Sequence, residues 1–285
     1  MKIAISGSTG YIGGNLISKL RNSGHEIYAI NRTALSDISS LTEILSGKEL
    51  VINLAGAPIL CRWTEKNKTE ILRSRIESTQ HIIHVINNLP PEFRPHTYIS
   101  ASAIGIYRPC ESHTEKSTSY ANDFVGKVVT QWEKSSVELI ASVRKVIFRI
   151  SPVLGKEAQT IKQLMPIFKL GLGGKIGSGN QAFPFVHIED VILAFVWAIL
   201  NHESNGIYNL VAPQNISNKQ FTIALSKVLR RPAFFNVPAF ALRLLYGEAA
   251  TILLRAPEVY PERLIQSGYK FKYPDIQSAL AEITA

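Results

Sequence analysis

The chain has 285 residues, 46% of them hydrophobic and 19% charged, with a formal net charge of +9; that is ample for a packed core and excludes intrinsic disorder. The charge divides evenly, 18 basic against 13 acidic residues over 1–150 and 13 against 9 over 151–285, with no basic block or arm, so nucleic-acid binding is not expected. The longest apolar run, Val191–Leu200, is too short to span a bilayer, and glycines interrupt the N-terminal stretch where a signal peptide would be apolar, so a cytoplasmic protein is expected.

The first fourteen residues, MKIAISGSTGYIGG, set the frame. Ile3, Ala4 and Ile5 have the composition of a buried strand, and Leu16, Ile17 and Leu20 recur at helical spacing. Between them Gly7, Gly10 and Gly13 make a tight turn over which a pyrophosphate can approach the main chain, where the helix start offers unpaired N–H groups. Gly7, Ser8, Thr9, Gly10, Tyr11, Ile12 and Gly13 are therefore candidate cofactor contacts. Gly24 stops the helix, and His25–Asn31 reads as the second strand. At its end stands Asn31–Arg32, with no Asp or Glu to bond a ribose 2′-hydroxyl; an arginine there suits a 2′-phosphate, which favours NADP over NAD.

A short amphipathic helix is expected over Asp37–Gly47, then an apolar strand, Leu50–Gly56, whose small terminal residues Ala55 and Gly56 let a flat cofactor lie over the sheet edge. Thr64 is a candidate N-cap for a long helix over about Glu65–Asn88, on which Glu70 and Arg75 read as a solvated charged face. A strand follows near His96–Ser100. Gly171–Gly179 is glycine-rich but follows a helical pattern rather than a strand, and it reads as a mobile loop over the substrate cleft. From about Ile207 short strands and helices alternate. Cys61 and Cys110 have neither disulfide nor zinc spacing.

The glycine spacing, Gly-x-x-Gly-x-x-Gly, resembles that of extended short-chain dehydrogenases/reductases. The ordered segments NLAGAPI (53–59), RWT (62–64), SRIEST (74–79), ISASAIGIY (99–107), QWE (131–133), FPFVHIED (183–190) and GYKFKYPDIQSAL (268–280) make the likeness specific to the epimerase family of the YfcH type. The resemblance runs nearly end to end. It implies an α/β fold, a Rossmann-like doubly wound parallel sheet with a smaller C-terminal α/β lobe. It also implies an NADP-binding domain over 1–155, to which 183–203 returns, and a mainly substrate-binding lobe over 156–285. By the same resemblance Asn31, Arg32, Leu54, Ala55, Glu70, Arg75 and Val153 fall on cofactor positions.

Reductases of this superfamily use a Tyr-x-x-x-Lys pair on one helix face, the ammonium lowering the phenol's pKa for proton exchange. Here the matching frame falls on Phe124 and Val128, with Tyr120 a turn early and Lys127 displaced by about 100° around the helix. Ser102, at a strand end, could bond a substrate oxygen or cap backbone, and Tyr107 could be a displaced phenol or a core residue. His187 and Asp190, at the start of an apolar helix, read as either polar site groups or structural ones. The expected function is an NADP-dependent oxidoreductase or epimerase on a small carbonyl or sugar-nucleotide substrate; the alternative is a non-catalytic NADP(H)-binding sensor or scaffold. The expected partner is a small-molecule substrate, with neither nucleic acid, membrane nor metal, and the sequence does not set an oligomeric state.

Overall fold

Six strands form the central sheet: β1 (Lys2–Ser6), β2 (Glu26–Ile30), β3 (Leu50–Asn53), β4 (Thr97–Ala103), β5 (Arg144–Ile150) and β6 (Gly206–Leu210). The computed structural model describes every residue, Met1–Ala285. All five pairings are parallel, in the order β2-β1-β3-β4-β5-β6. Such strands are buried on both faces, which is why they read as continuous apolar runs. The side-chain period of two divides them between the layers. Ile3 and Ile5 of β1 and Leu50 and Ile52 of β3 join Leu16 and Leu20 of helix α1 (Tyr11–Asn22). The intervening Ala4 and Val51 join Leu41 and Leu45 of α3 (Ile38–Leu45) and Ile82, Ile83 and Ile86 of α4 (Glu65–Asn88). Burying each such aliphatic side chain stabilises the fold by about 1.5–3 kcal/mol.

The strand order reverses direction between β1 and β3, because β2 lies on one side of β1 and β3 on the other. At such a switch point the connecting helices leave in opposite directions and a crevice opens beyond the carboxyl ends of the strands. The short helix α2 (Arg32–Ser36) follows β2 directly, and α5 (Phe124–Lys134) runs between β4 and β5. Helix α7 (Ile188–Leu200) packs on the same side as α1, with Val191, Phe195 and Ala198 in the core that α1 enters.

Beyond β5 a third core joins α6 (Gln159–Lys169), α8 (Asn218–Leu229) and the last helix (Ile276–Thr284) around Phe168, Phe185, Phe221 and Leu280. Two expectations change here. The stretch from about Ile207, expected to open the C-terminal lobe, instead begins within the edge strand of the central sheet, Gly206–Leu210, where Tyr208 packs against Phe148 and Trp197. The Gly171–Gly179 stretch is not an unpaired loop: Gly174–Ile176 pairs in parallel with Phe235–Val237, and the Ile176 N–H donates to Asn218 Oδ1 at 2.7 Å. No helix is long and apolar enough to cross a membrane.

Candidate dinucleotide site

The crevice at the switch point is a cleft of about 460 Å³. Its floor is the turn after β1. Gly7 has φ +69°, and a Cβ there would stand 2.5 Å from the Leu54 carbonyl oxygen; a Cβ on Gly13 would stand 2.2 Å from the Gly7 carbonyl oxygen. Only glycine lets the turn close against the β3 loop and the helix close against the turn. A buried polar network fixes that geometry. Ser6 Oγ donates to Asn53 Oδ1 at 2.6 Å, Asn53 Nδ2 donates to Thr79 Oγ1 and the Tyr98 hydroxyl, and the Leu54 and Ala55 N–H groups close back onto Ser6 Oγ and Asn53 Oδ1.

Helix α1 begins at this turn with Gly10 as N-cap, no side-chain cap and no acidic residue in its first turn. By contrast α2, α3, α4 and α5 are capped by Asn31, Asp37, Thr64 and Asp123. Unpaired N–H groups and the positive end of the dipole therefore face the cleft, which is the electrostatics of an anion site. The glycine turn closed against backbone and the uncapped helix start beside it fit a dinucleotide pyrophosphate.

Asn31 Oδ1 accepts the Ala34 N–H at 2.8 Å, so Asn31 caps α2 and sets the position of Arg32, its first residue. Arg32 is exposed at the rim, and no carboxylate pairs with it. Gly7, Ser8, Thr9 and Gly10 line the cleft from below, Asn31 and Arg32 from one side, and Leu54, Ala55, Gly56 and Glu70 from the other. Thus ten of the residues singled out in the sequence converge on one cleft.

Five do not line it. Tyr11 turns its hydroxyl toward Gly155, where a Cβ would lie 2.2 Å away; burial and the charges of Glu282 and Glu157 push this phenol up from 10.0 to about 12. Ile12 packs on the core, Gly13 is buried behind the turn, and Val153 pairs with Val186 in a two-residue ladder. Arg75 lies beneath the β3 loop. Its Nη2 donates to the Ala57 carbonyl at 2.9 Å and its Nη1 to the Ile71 carbonyl, with the guanidinium 5.2 Å from the centre of the Trp132 ring. With no carboxylate partner, burial lowers its pKa to about 10.

Helix α4 supplies residues that the sequence reading passed over. Arg73, Ser74, Glu77, Ser78 and His81 line the cleft with Glu70. Their three- and four-residue spacing, opposite the isoleucine stripe, was the available signal. His81 Nδ1 donates to the Leu35 carbonyl at 2.7 Å, tying α4 to α2.

At the other half of the sheet the two candidate catalytic hydroxyls are committed inside the protein. Ser102, Arg149 and Asn209 stand side by side in register on β4, β5 and β6. Ser102 Oγ donates to Glu133 Oε1 at 2.6 Å, and Glu133 also receives Arg149 Nε at 2.8 Å and Nη2 at 2.7 Å. The Tyr107 hydroxyl donates to Asn209 Oδ1 and accepts from Arg149 Nη1, each at 2.8 Å. Burial raises the Tyr107 pKa, against the opposing pull of Arg149. Burial alone would lower Arg149, but Glu133 and Tyr107 outweigh it and hold the guanidinium firmly charged. Neither hydroxyl has a hydrogen left for a substrate. Glu133, Arg149 and Asn209 were missed in the sequence, although an arginine inside the apolar strand VIFRI (146–150) demands a buried partner.

Of the expected tyrosine and lysine frame, Val128 is buried, Phe124 meets Trp63 edge-on, and the displaced Lys127 is exposed. His187 caps α7, its Nδ1 accepting the Glu189 N–H while Nε2 donates to Glu282 at 3.0 Å. Asp190 instead receives the N–H groups of Lys272 and Tyr273, so both residues are structural.

A parallel sheet with a glycine turn, an uncapped α1 and a cleft at its switch point defines a Rossmann-like dinucleotide-binding protein. Comparison with known sequences is decisive about the family. The sequence model of the NAD dependent epimerase/dehydratase family matches residues 3–210, and a domain of unknown function, DUF1731, matches residues 237–283. The chain belongs to this epimerase family. It is 33% identical to the epimerase family protein YfhF of Bacillus subtilis, over 100% of this chain and 98% of that protein. It is also 33% identical to an Arabidopsis thaliana chloroplastic homologue of SDR39U1, over 99% of this chain and 86% of the relative. Among solved structures, human epimerase family protein SDR39U1, crystallised with NADPH, superposes with a TM-score of 0.92 at 31% identity, covering 100% of this chain and 99% of that one.

Proposed function

We propose that the protein binds NADP(H) in the switch-point cleft and is an oxidoreductase or epimerase for a small carbonyl or sugar-nucleotide substrate, working without a Tyr-x-x-x-Lys pair. The observation that carries this reading is Arg32, a cation without a carboxylate partner at the end of β2, where no acidic residue stands to receive a ribose 2′-hydroxyl. The NADPH in the crystal structure of human SDR39U1 supports it. The N–H groups that open α1 would hold the pyrophosphate, and Arg32 the 2′-phosphate. When bound, the nicotinamide supplies or accepts a hydride. In this reading residues 1–155, with 183–203 and the edge strand 206–210, form the nucleotide-holding domain, the remainder of 156–285 selects the substrate, and the setting is cytoplasmic.

A non-catalytic NADP(H) sensor is the second reading, favoured by the engagement of Ser102 and Tyr107 with Glu133 and Asn209. Incubation of NADPH deuterated at C4 with a panel of aldehydes, ketones and keto-sugar nucleotides, and of NADP+ with sugar nucleotides deuterated at their ring carbinol carbons, separates the two. Transfer of deuterium in either direction, unchanged in Lys127→Ala, is expected. Binding with no deuterium exchange in either direction, from NADPH to a carbonyl or from a sugar nucleotide to NADP+, would overturn the enzymatic reading and leave the sensor.

A further inference from the structure

We propose that one face of the C-terminal lobe docks onto the surface of an anionic lipid bilayer. The face comprises the Leu170–Leu172 turn, the Phe234–Phe235 stretch and helix α9 (Ala239–Tyr246). Its apolar side chains stand in solvent: Leu170 is 75% exposed, Phe234 87%, Phe240 72%, Leu244 73% and Leu245 67%. The segments adjoin, since Gly171 lies against Pro232, Phe235 pairs with Gly174, and α9 follows Val237 after a single proline. Phe240 and Leu244 share one side of α9 while Leu242 is buried, so the helix is anchored by one side and presents the other.

Charge selects the occupant. Residues 158–188 and 204–247 contain no Asp or Glu, and they carry eight Lys and Arg residues. Lys169, Arg230, Arg231 and Arg243 are exposed, and none is paired with a carboxylate. A second copy of the chain, meeting this face with its own, would set these cations against their equals. An anionic headgroup layer meets both features, with apolar tips at the acyl boundary and cations at the phosphates. The absence of a spanning helix, which led the sequence reading to expect no membrane, does not bear on a face that lies on the surface. All residues lining the nucleotide cleft fall between Gly7 and His81, so this face is separate from it.

The test is flotation of the full chain with vesicles of phosphatidylcholine alone and of equal parts phosphatidylcholine and phosphatidylglycerol. Co-flotation with the anionic vesicles only, weakening as salt rises, is expected. Phe240→Ser with Leu244→Ser should abolish it, and Arg230→Gln with Arg231→Gln should lower the partition coefficient by about 30-fold. Each variant's cooperative melting by circular dichroism shows that it is folded. The proposal is overturned if the anionic vesicles float no protein or if the Phe240→Ser, Leu244→Ser variant floats as well as the parent. A concentration-dependent dimer that the same two substitutions dissolve would also overturn it, assigning the face to a second copy.

Discussion

Replacing Glu133 by alanine should destabilise the protein far more than an ordinary surface ion pair would. Arg149 is 1% exposed and Glu133 12%, and the pair is closed by two short charge-assisted hydrogen bonds, at 2.8 and 2.7 Å. Removing the carboxylate leaves the guanidinium buried with only the hydroxyls of Tyr107 and, at 3.5 Å, Tyr120. Breaking one side of a buried pair costs about 3–5 kcal/mol, against roughly 0–1 kcal/mol for an exposed one. At about 2–4 °C per kcal/mol for a chain approaching this size, Tm should fall by roughly 6–20 °C. Urea unfolding followed by circular dichroism, at constant m, reads the loss directly. Glu133→Met combined with Arg149→Met should recover much of it, because an apolar pair carries no desolvation penalty. A loss below about 1 kcal/mol in Glu133→Ala, or a double variant whose loss is the sum of the two singles, would refute the assignment of a coupled buried pair.

Gly13→Ala should lower NADPH affinity at least tenfold and reduce stability, because the new Cβ would stand 2.2 Å from the Gly7 carbonyl oxygen and force α1 off the turn; isothermal titration calorimetry measures the first, and unchanged affinity would contradict the packing described. Tyr11 titrates at about 12 instead of 10.0, so the folded state keeps a proton that the unfolded state loses, and stability declines as pH rises from about 10 through 12. Tyr11→Phe should show a shallower decline in denaturant midpoint over that window than the parent, and parallel profiles would remove Tyr11 as the cause.

Much of the nucleotide half was legible because its signals are local. Burial on both faces made β1 and β3 continuous apolar runs, the glycines stand where a Cβ would strike backbone, and Thr64 and the isoleucine stripe announce α4 over Glu65–Asn88. The cleft face of α4 was harder, since Arg73, Glu77 and His81 look like any solvated helix face until α2 is seen opposite them. Ser102 and the lone arginine of 146–150 could each be noticed, but not their alignment with Asn209, which exists only through the lateral register of three strands separated by long crossovers. The same reason hid the role of β6: nothing in the sequence of 206–210 says whether it extends the main sheet or starts another. The exposed tips of α9 escaped notice because a single short helix of seven apolar residues and one arginine reads equally as core.

The central claim, that the cleft takes an NADP-type dinucleotide through Arg32, is tested most directly by the dissociation constants of NADPH and NADH measured on the parent protein and on Arg32→Ala. A charge-assisted contact to the 2′-phosphate contributes about 1.5–3 kcal/mol, so NADPH should bind the parent roughly 10- to 150-fold more tightly than NADH. In Arg32→Ala the two constants should converge, with NADH affinity unchanged. Equal constants on the parent, or a preference for NADPH that survives the loss of Arg32, would contradict the account.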